Sequence, residues 1–223
     1  MNWRLSALDN ITLISNGDAH SPAKLGREAC IFDTELNYTS LMEAIKSKDK
    51  SKFLYTIEFF PEEGKYHYDG HRNCNVSLKP KETKKYNGIC PVCAKPLVVG
   101  VLNRVEELAD RPEGFVPANA IPFKSLIPLQ EVIAEVFDMW VNSKKVQTAY
   151  RELIDKFGSE FKILLEVSLS ELKASGFSVF SEAISRMRKG DIKIAPGYDG
   201  EYGKVSIFTE IEKKDFSGQK TLF

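Results

Sequence analysis

The sequence predicts an α+β protein, with strands and helices segregated along the chain. Three observations predict it. The strongest strand-like run and all four cysteines fall in the first half of the 223 residues. Helical periodicity dominates residues 129–190. Near the end, a turn-rich "GYDGEYG" separates two short β-branched runs.

Taken in order, "ITLIS" (11–15) reads as a buried strand ending at Asn16-Gly17. "NYTSLMEAIKSK" (37–48) reads as a helix with Ser40 as cap and Glu43 completing a capping box. The charged "KSKDKSK" marks a first boundary. "FLYTIEFF" (53–60) is a strong strand, and "LVVGVL" (97–102) is read as another. "VEELADRP" (105–112) is a short helix stopped before Pro112. Residues 111–128 hold four prolines and read as an ordered loop. Pro128 suits the first position of the helix "LQEVIAEVFDMW". "KKVQTAYRELIDKF" ends at Gly158 and "SVFSEAISRMRKG" at Gly190, both C-terminal caps. "IKIAP" and "KVSIFTEI" form a short hairpin around the glycine-rich turn. The division expected is 1–50, a small metal-binding domain at 51–110, a mainly helical domain at 111–211, and a flexible tail at 212–223.

Composition narrows the function. Thirty-one basic residues balance 31 acidic ones, so nucleic acid could be held only by local patches and not by bulk charge. There is no apolar run long enough to span a membrane and no signal-peptide core at the N-terminus, so a cytoplasmic chain is the default.

The cysteines carry the clearest signal. His71-x-x-Cys74 and Cys90-x-x-Cys93 are separated by fifteen residues, the spacing of a structural zinc site. A two-residue gap lets a tight turn aim two side chains at one ion. Four protein ligands leave no open position, so one structural zinc ion is expected, supplying folding free energy to a segment with little apolar core. Free cysteines beside chance histidines are the alternative, and His67 is the weaker candidate in place of His71. Cys30 stands alone and reads as a small core residue.

Two basic patches are candidate phosphate contacts: Lys79, Lys81, Lys84 and Lys85 beside Tyr86, and Arg186, Arg188, Lys189 and Lys193. A solvated loop is the simpler reading of the lysines taken alone. "GYDGEYGKV" is no phosphate loop, because five residues separate Gly197 from Gly203 and Val205 replaces the magnesium-binding Ser/Thr. No ATP is expected. Tyr198 and Tyr202 could stack on a base and Asp199 read its edge, or the segment is a tight turn with half-buried tyrosines.

"SNGDAHSPAKLGREA", "YTIEFFPEEGKYHYDGHRNC", "CPVCAKPL" and "IAPGYDGEYGKV" occur in an order that resembles the C-terminal part of the endonuclease Q family. The resemblance implies repair nucleases with an N-terminal polymerase-and-histidinol-phosphatase (PHP) domain, a zinc-binding domain and a helical C-terminal region. It implies nicking of DNA 5′ of deaminated bases (uracil, hypoxanthine, xanthine) or at abasic sites. It makes residues 1–50 the last strand and helix of the PHP-type barrel, and Asp18 and His20 metal ligands, with Gly17 where the family commonly has serine. The other ligands, from His-x-His and further upstream positions, have no counterpart here. Catalytic divalent metals are therefore expected only in a complete protein, and this chain alone is expected not to cut. The alternatives are a non-catalytic zinc-containing module for DNA or protein, and a PHP-type phosphoesterase. The terminal Gln219-Lys220-Thr221-Leu222-Phe223 resembles the bacterial sliding-clamp motif, in which Gln219, Leu222 and Phe223 would dock.

Overall fold

The computed structural model describes residues 1–213. The architecture is mixed α+β, with small sheets and many helices. The chain divides into two compact units. Among the described residues, the first comprises Met1–Ser125 and Ala195–Lys204; the second comprises Leu126–Ile194 and residues 205–213.

The first unit is built around β1 (Ala29–Phe32), α1 (Tyr38–Ser47) and β2 (Phe53–Glu58). β2 is the central strand of a three-stranded sheet. It pairs antiparallel with β1 on one side and parallel with β5 (Phe123–Ser125) on the other. The β-branched and aromatic "FLYTIE" suits that position. Phe53 and Ile57 are fully buried, and the Phe53 ring stacks on Phe32 with centroids 4.5 Å apart. Burying each such side chain contributes about 1.5–3 kcal/mol. β5 lies inside the proline-rich stretch read from the sequence as loop.

Several local readings are corrected. Residues 11–15 join no ladder, and Ile11 and Ile14 are exposed. Only Ser15 is buried, held by its Oγ donating to the Ile57 carbonyl at 2.7 Å and its N–H donating to Cys30 Sγ at 3.2 Å. The cap of α1 is Asn37, whose Oδ1 accepts the Ser40 N–H at 2.8 Å. Asn is as good a cap as Ser, and it places the helix start three residues earlier.

The segment carrying His71, Cys74, Cys90 and Cys93 follows with β3 (Asp69–His71), β4 (Val76–Leu78) and α2 (Pro80–Lys85). β3 and β4 pair antiparallel through a one-turn 3-10 helix at Arg72–Cys74. Residues 97–102 do not form a strand. Val98 makes one bridge with Gly70, and the chain enters α3 (Val101–Leu108) at once. A side chain on Gly100 would lie 2.4 Å from the Tyr68 carbonyl oxygen, so glycine is required there.

The second unit contains α4 (Leu129–Phe137), α5 (Lys144–Phe157), a π-helical turn at Lys162–Glu166, α6 (Leu169–Ala174) and α7 (Ser178–Lys189). Its core includes Leu129, Val132, Ile133, Leu153, Ile163, Leu172 and Ile184, all fully buried. α5 and α7 end at Gly158 and Gly190 with positive φ, 97° and 70°, as their sequences predict. Two acids act as distant caps. Glu160 accepts the Leu129 N–H at 2.7 Å, and Glu135 accepts those of Ile207 and Phe208 at 2.9 and 3.0 Å. β6 (Lys193–Ala195) and β7 (Lys204–Ser206) form the expected two-stranded sheet around the glycine-rich turn.

Candidate metal centre and DNA interface

The four ligand candidates come from two turns. His71 ends β3, and Cys74 closes the 3-10 turn, where Asn75 adopts a left-handed φ of 53°. Cys90 and Cys93 lie on a second turn. In it Cys90 N–H donates to the Lys95 carbonyl at 2.7 Å and Ala94 N–H to the Cys90 carbonyl at 3.0 Å. The ligand atoms of His71, Cys74, Cys90 and Cys93 all lie within 4.8 Å of one another. Cys93 Sγ is 3.3 Å from His71 Nδ1. A tetrahedron with arms of about 2.3 Å has edges of about 3.8 Å, so one ion fits among these atoms. Three sulfurs and one imidazole are the donor set of a closed zinc site.

Without an ion, electrostatics favour the thiolate at Cys90 and the thiol at Cys74. Burial pushes the Cys90 thiol up. The backbone N–H groups of Val92 and Cys93, with His71, outweigh it and bring Cys90 down to about 6. Cys74 is pushed up to about 11, first by its hydrogen bond to Cys93, then by burial and Cys90. The local apolar core holds only Val76, Cys90 and Leu97, with Cys74 and Leu78 packed against it. So small a cluster offsets little chain entropy, so a metal held by these four side chains would add folding free energy.

His67 is excluded from this cluster. It is buried four residues earlier, and burial lowers its pKa against the opposing pull of Glu62. Asp69, fully buried, is a residue that sequence reasoning missed. Its Oδ1 accepts the Gly100 N–H at 2.7 Å and its Oδ2 accepts the Asn103 side-chain amide at 2.6 Å. It thereby caps α3 from β3, and only its place between two histidines hinted at a role.

The glycine-rich turn docks on residues 62–72 through the backbone. Gly197 N–H donates to the Glu62 carbonyl at 2.7 Å, Gly203 N–H to that of Glu63 at 3.0 Å, and Gly200 N–H to that of Lys65 at 3.0 Å. Side chains at Gly197 or Gly203 would overlap carbonyl oxygens at 2.3 and 2.0 Å. Packing thus accounts for these two glycines. Tyr198 lies over Gly70, and its hydroxyl donates to Asn75 Oδ1 at 2.8 Å. The Asp199 carboxylate accepts the Arg72 backbone N–H at 2.6 Å. Tyr202 is 73% exposed.

Lys79, Lys81, Lys84 and Lys85 are all exposed on or beside α2. The second basic patch is largely engaged within its own unit. Arg186 pairs with Glu182 at 2.9 Å and Glu212 at 2.8 Å. Arg188 donates to the carbonyls of Leu164 and Ile163 at 2.8 and 2.9 Å. Asp18 and His20 form an exposed pair, Oδ2 to Nε2 3.1 Å, with side chains 96% and 85% accessible. Among the described residues no third ligand joins them. Gln219, Leu222 and Phe223 lie outside the described residues.

Comparison with known proteins follows the same division. A family model described as the MJ0043 C-terminal domain matches residues 128–191, the helices of the second unit. A lesion-specific endonuclease, PfuEndoQ of Pyrococcus furiosus, superimposes with a TM-score of 0.83 and 31% identity, covering 95% of this chain. Over nearly its whole length the chain is similar to endonuclease Q. An endonuclease Q bound to a 27-mer duplex with an abasic lesion superimposes with a TM-score of 0.76 and 30% identity over 93% of this chain. The chain spans 53% of each of these solved endonuclease Q proteins. Uncharacterized protein MJ0043 of Methanocaldococcus jannaschii is 37% identical over 90% of this chain, which covers 26% of that relative. Uncharacterized protein YqxK of Bacillus subtilis is 28% identical over 92% of this chain and 49% of its own length. No helix among the described residues is long and apolar enough to cross a membrane.

Proposed function

We propose that this chain is the DNA-binding and lesion-recognition portion of a metal-dependent repair endonuclease that nicks 5′ of deaminated bases or at abasic sites. The observation that carries the reading is the superposition of 95% of the chain on a lesion-specific endonuclease at 31% identity. The bound duplex of the second solved relative makes DNA the partner proposed for this chain.

In this reading His71, Cys74, Cys90 and Cys93 hold one zinc ion whose task is structural. Asp18 and His20 contribute to a catalytic centre in the PHP domain, the domain to which residues 1–50 are assigned. Metals there would lower the pKa of a bound water and stabilise charge developing on the scissile phosphate. Two exposed ligands cannot hold such a centre alone, so this chain binds but does not cut. The α2 lysines supply the salt-dependent contact with the phosphate backbone.

Fluorescence anisotropy with abasic, uracil-containing and undamaged duplexes tests the recognition role. Tighter binding of the damaged duplexes is expected; equal binding of all three would reduce the chain to a generic zinc-containing module. Metal-dependent nicking of uracil DNA by the purified chain would overturn the assignment of catalysis elsewhere.

A further inference from the structure

Two aromatic rings and two cations converge at the tip of the glycine-rich turn, and the recognition of DNA as a whole does not use them. Tyr66 is 51% exposed and Tyr202 73% exposed. Lys65 Nζ stands 4.5 Å from the centroid of the Tyr202 ring. A side chain on Gly200 would meet Arg72 Nη1 at 3.6 Å and the Tyr66 hydroxyl at 3.7 Å. Both groups therefore border the turn. Gly200 has a φ of 86°, which favours glycine and keeps the tip bare.

The patch is rigid. Tyr66 is fixed through its carbonyl, which accepts the Val101 N–H at 2.7 Å. The turn is fixed by its backbone bonds to Glu62, Glu63 and Lys65 and by Asp199 on the Arg72 N–H. The Tyr198 hydroxyl bond to Asn75 takes that ring out of play. An exposed tyrosine face with a cation behind it stacks on a nucleobase without regard to its identity. Arg72 stands beside the turn with Glu201 at 3.8 Å, and a guanidinium there suits a phosphate. A folded peptide offers few flat faces of nucleobase size, and an intact duplex hides its base faces. A nucleotide unstacked at a lesion presents both a base face and a phosphate.

We propose that Tyr66, Tyr202, Lys65 and Arg72 form a stacking platform for an unpaired nucleotide beside a lesion in duplex DNA. This rests on the DNA-recognition reading above and assigns it a surface. Tyr202 carries the base, Lys65 supports the ring from its other face, and Arg72 takes the adjacent phosphate. Glu201 opposes binding by occupying Arg72.

The test is anisotropy titration of the purified chain with an abasic duplex, the matched undamaged duplex and the single strand. Tyr202→Ala is expected to weaken abasic-duplex binding about ten-fold, the scale of one lost base–aromatic stack. Tyr202→Phe should bind as wild type, and neither variant should change affinity for the undamaged duplex. Glu201→Gln should tighten abasic-duplex binding roughly two- to five-fold by releasing Arg72. Wild-type affinity of Tyr202→Ala for the abasic duplex would overturn the platform while leaving DNA recognition standing. A loss confined to the single strand would overturn the lesion assignment. Failure of the wild-type chain to bind any of the three would overturn both.

Discussion

Asp69 on β3 and Asn103 on α3 are joined by a 2.6 Å hydrogen bond, and the carboxylate is fully buried. The other Asp69 oxygen holds the Gly100 N–H. One carboxylate two residues before His71 thus fixes the start of a helix thirty residues on. Asp69→Ala would strand both donors in the interior. It should destabilise the first unit by about 1–3 kcal/mol per orphaned group, read as a lowered Tm in thermal denaturation. Asp69→Asn should recover part of the loss, because its carbonyl oxygen can keep one of the two bonds.

Cys90 is the most buried of the four cluster residues, 1% exposed. Cys90→Ser should reduce bound zinc, measured by native mass spectrometry, from about one per chain toward none. Chelator treatment of the wild-type chain should lower the Tm of the first unit in the same way, since metal binding and folding share one free energy here.

His67 gives the pH dependence a sign. Burial lowers its pKa below the ordinary 6.5, so near and below that pH the unfolded chain binds a proton that the folded chain refuses. Stability supported by neutral His67 is present above about pH 6.5 and falls as the pH drops below it. Denaturant titrations across that range should show a shallower acid-side decline in His67→Phe than in wild type.

Arg188 separates a structural role from a DNA-binding one. Its guanidinium joins α7 to the carbonyls of the π-helical turn, and burial lowers its pKa. Arg188→Ala should lower thermal stability by about 1–3 kcal/mol while leaving duplex affinity unchanged. Lys81→Gln, on the exposed helix α2, should do the reverse and reduce the salt slope of binding by about one.

What the sequence reveals depends on whether the cause is local. The cysteine knuckles and the glycine stops of α5 and α7 lie within a few residues of what they determine, and they were legible. The start of α3 was not, because its cap sits on β3. "ITLIS" has the composition of a strand, but composition supplies no partner strand. Tyr198 and Tyr202 look equivalent in "GYDGEYG"; only the placement of Gly70 and Asn75, over 120 positions away, separates a packed ring from an open one. Arg188 reads as part of a basic patch because its acceptors, the π-turn carbonyls, are remote in sequence, as is Glu212, the second partner of Arg186 after the local Glu182.

Residues 195–204 return to the first unit after the whole helical insertion of 126–194. The ribosome therefore finishes the helices before it releases the strand segment that closes Gly197 and Gly203 onto Glu62 and Glu63. A fragment ending at residue 125 would retain His71, Cys74, Cys90 and Cys93 yet lack its last piece, so the module cannot be excised as one continuous stretch.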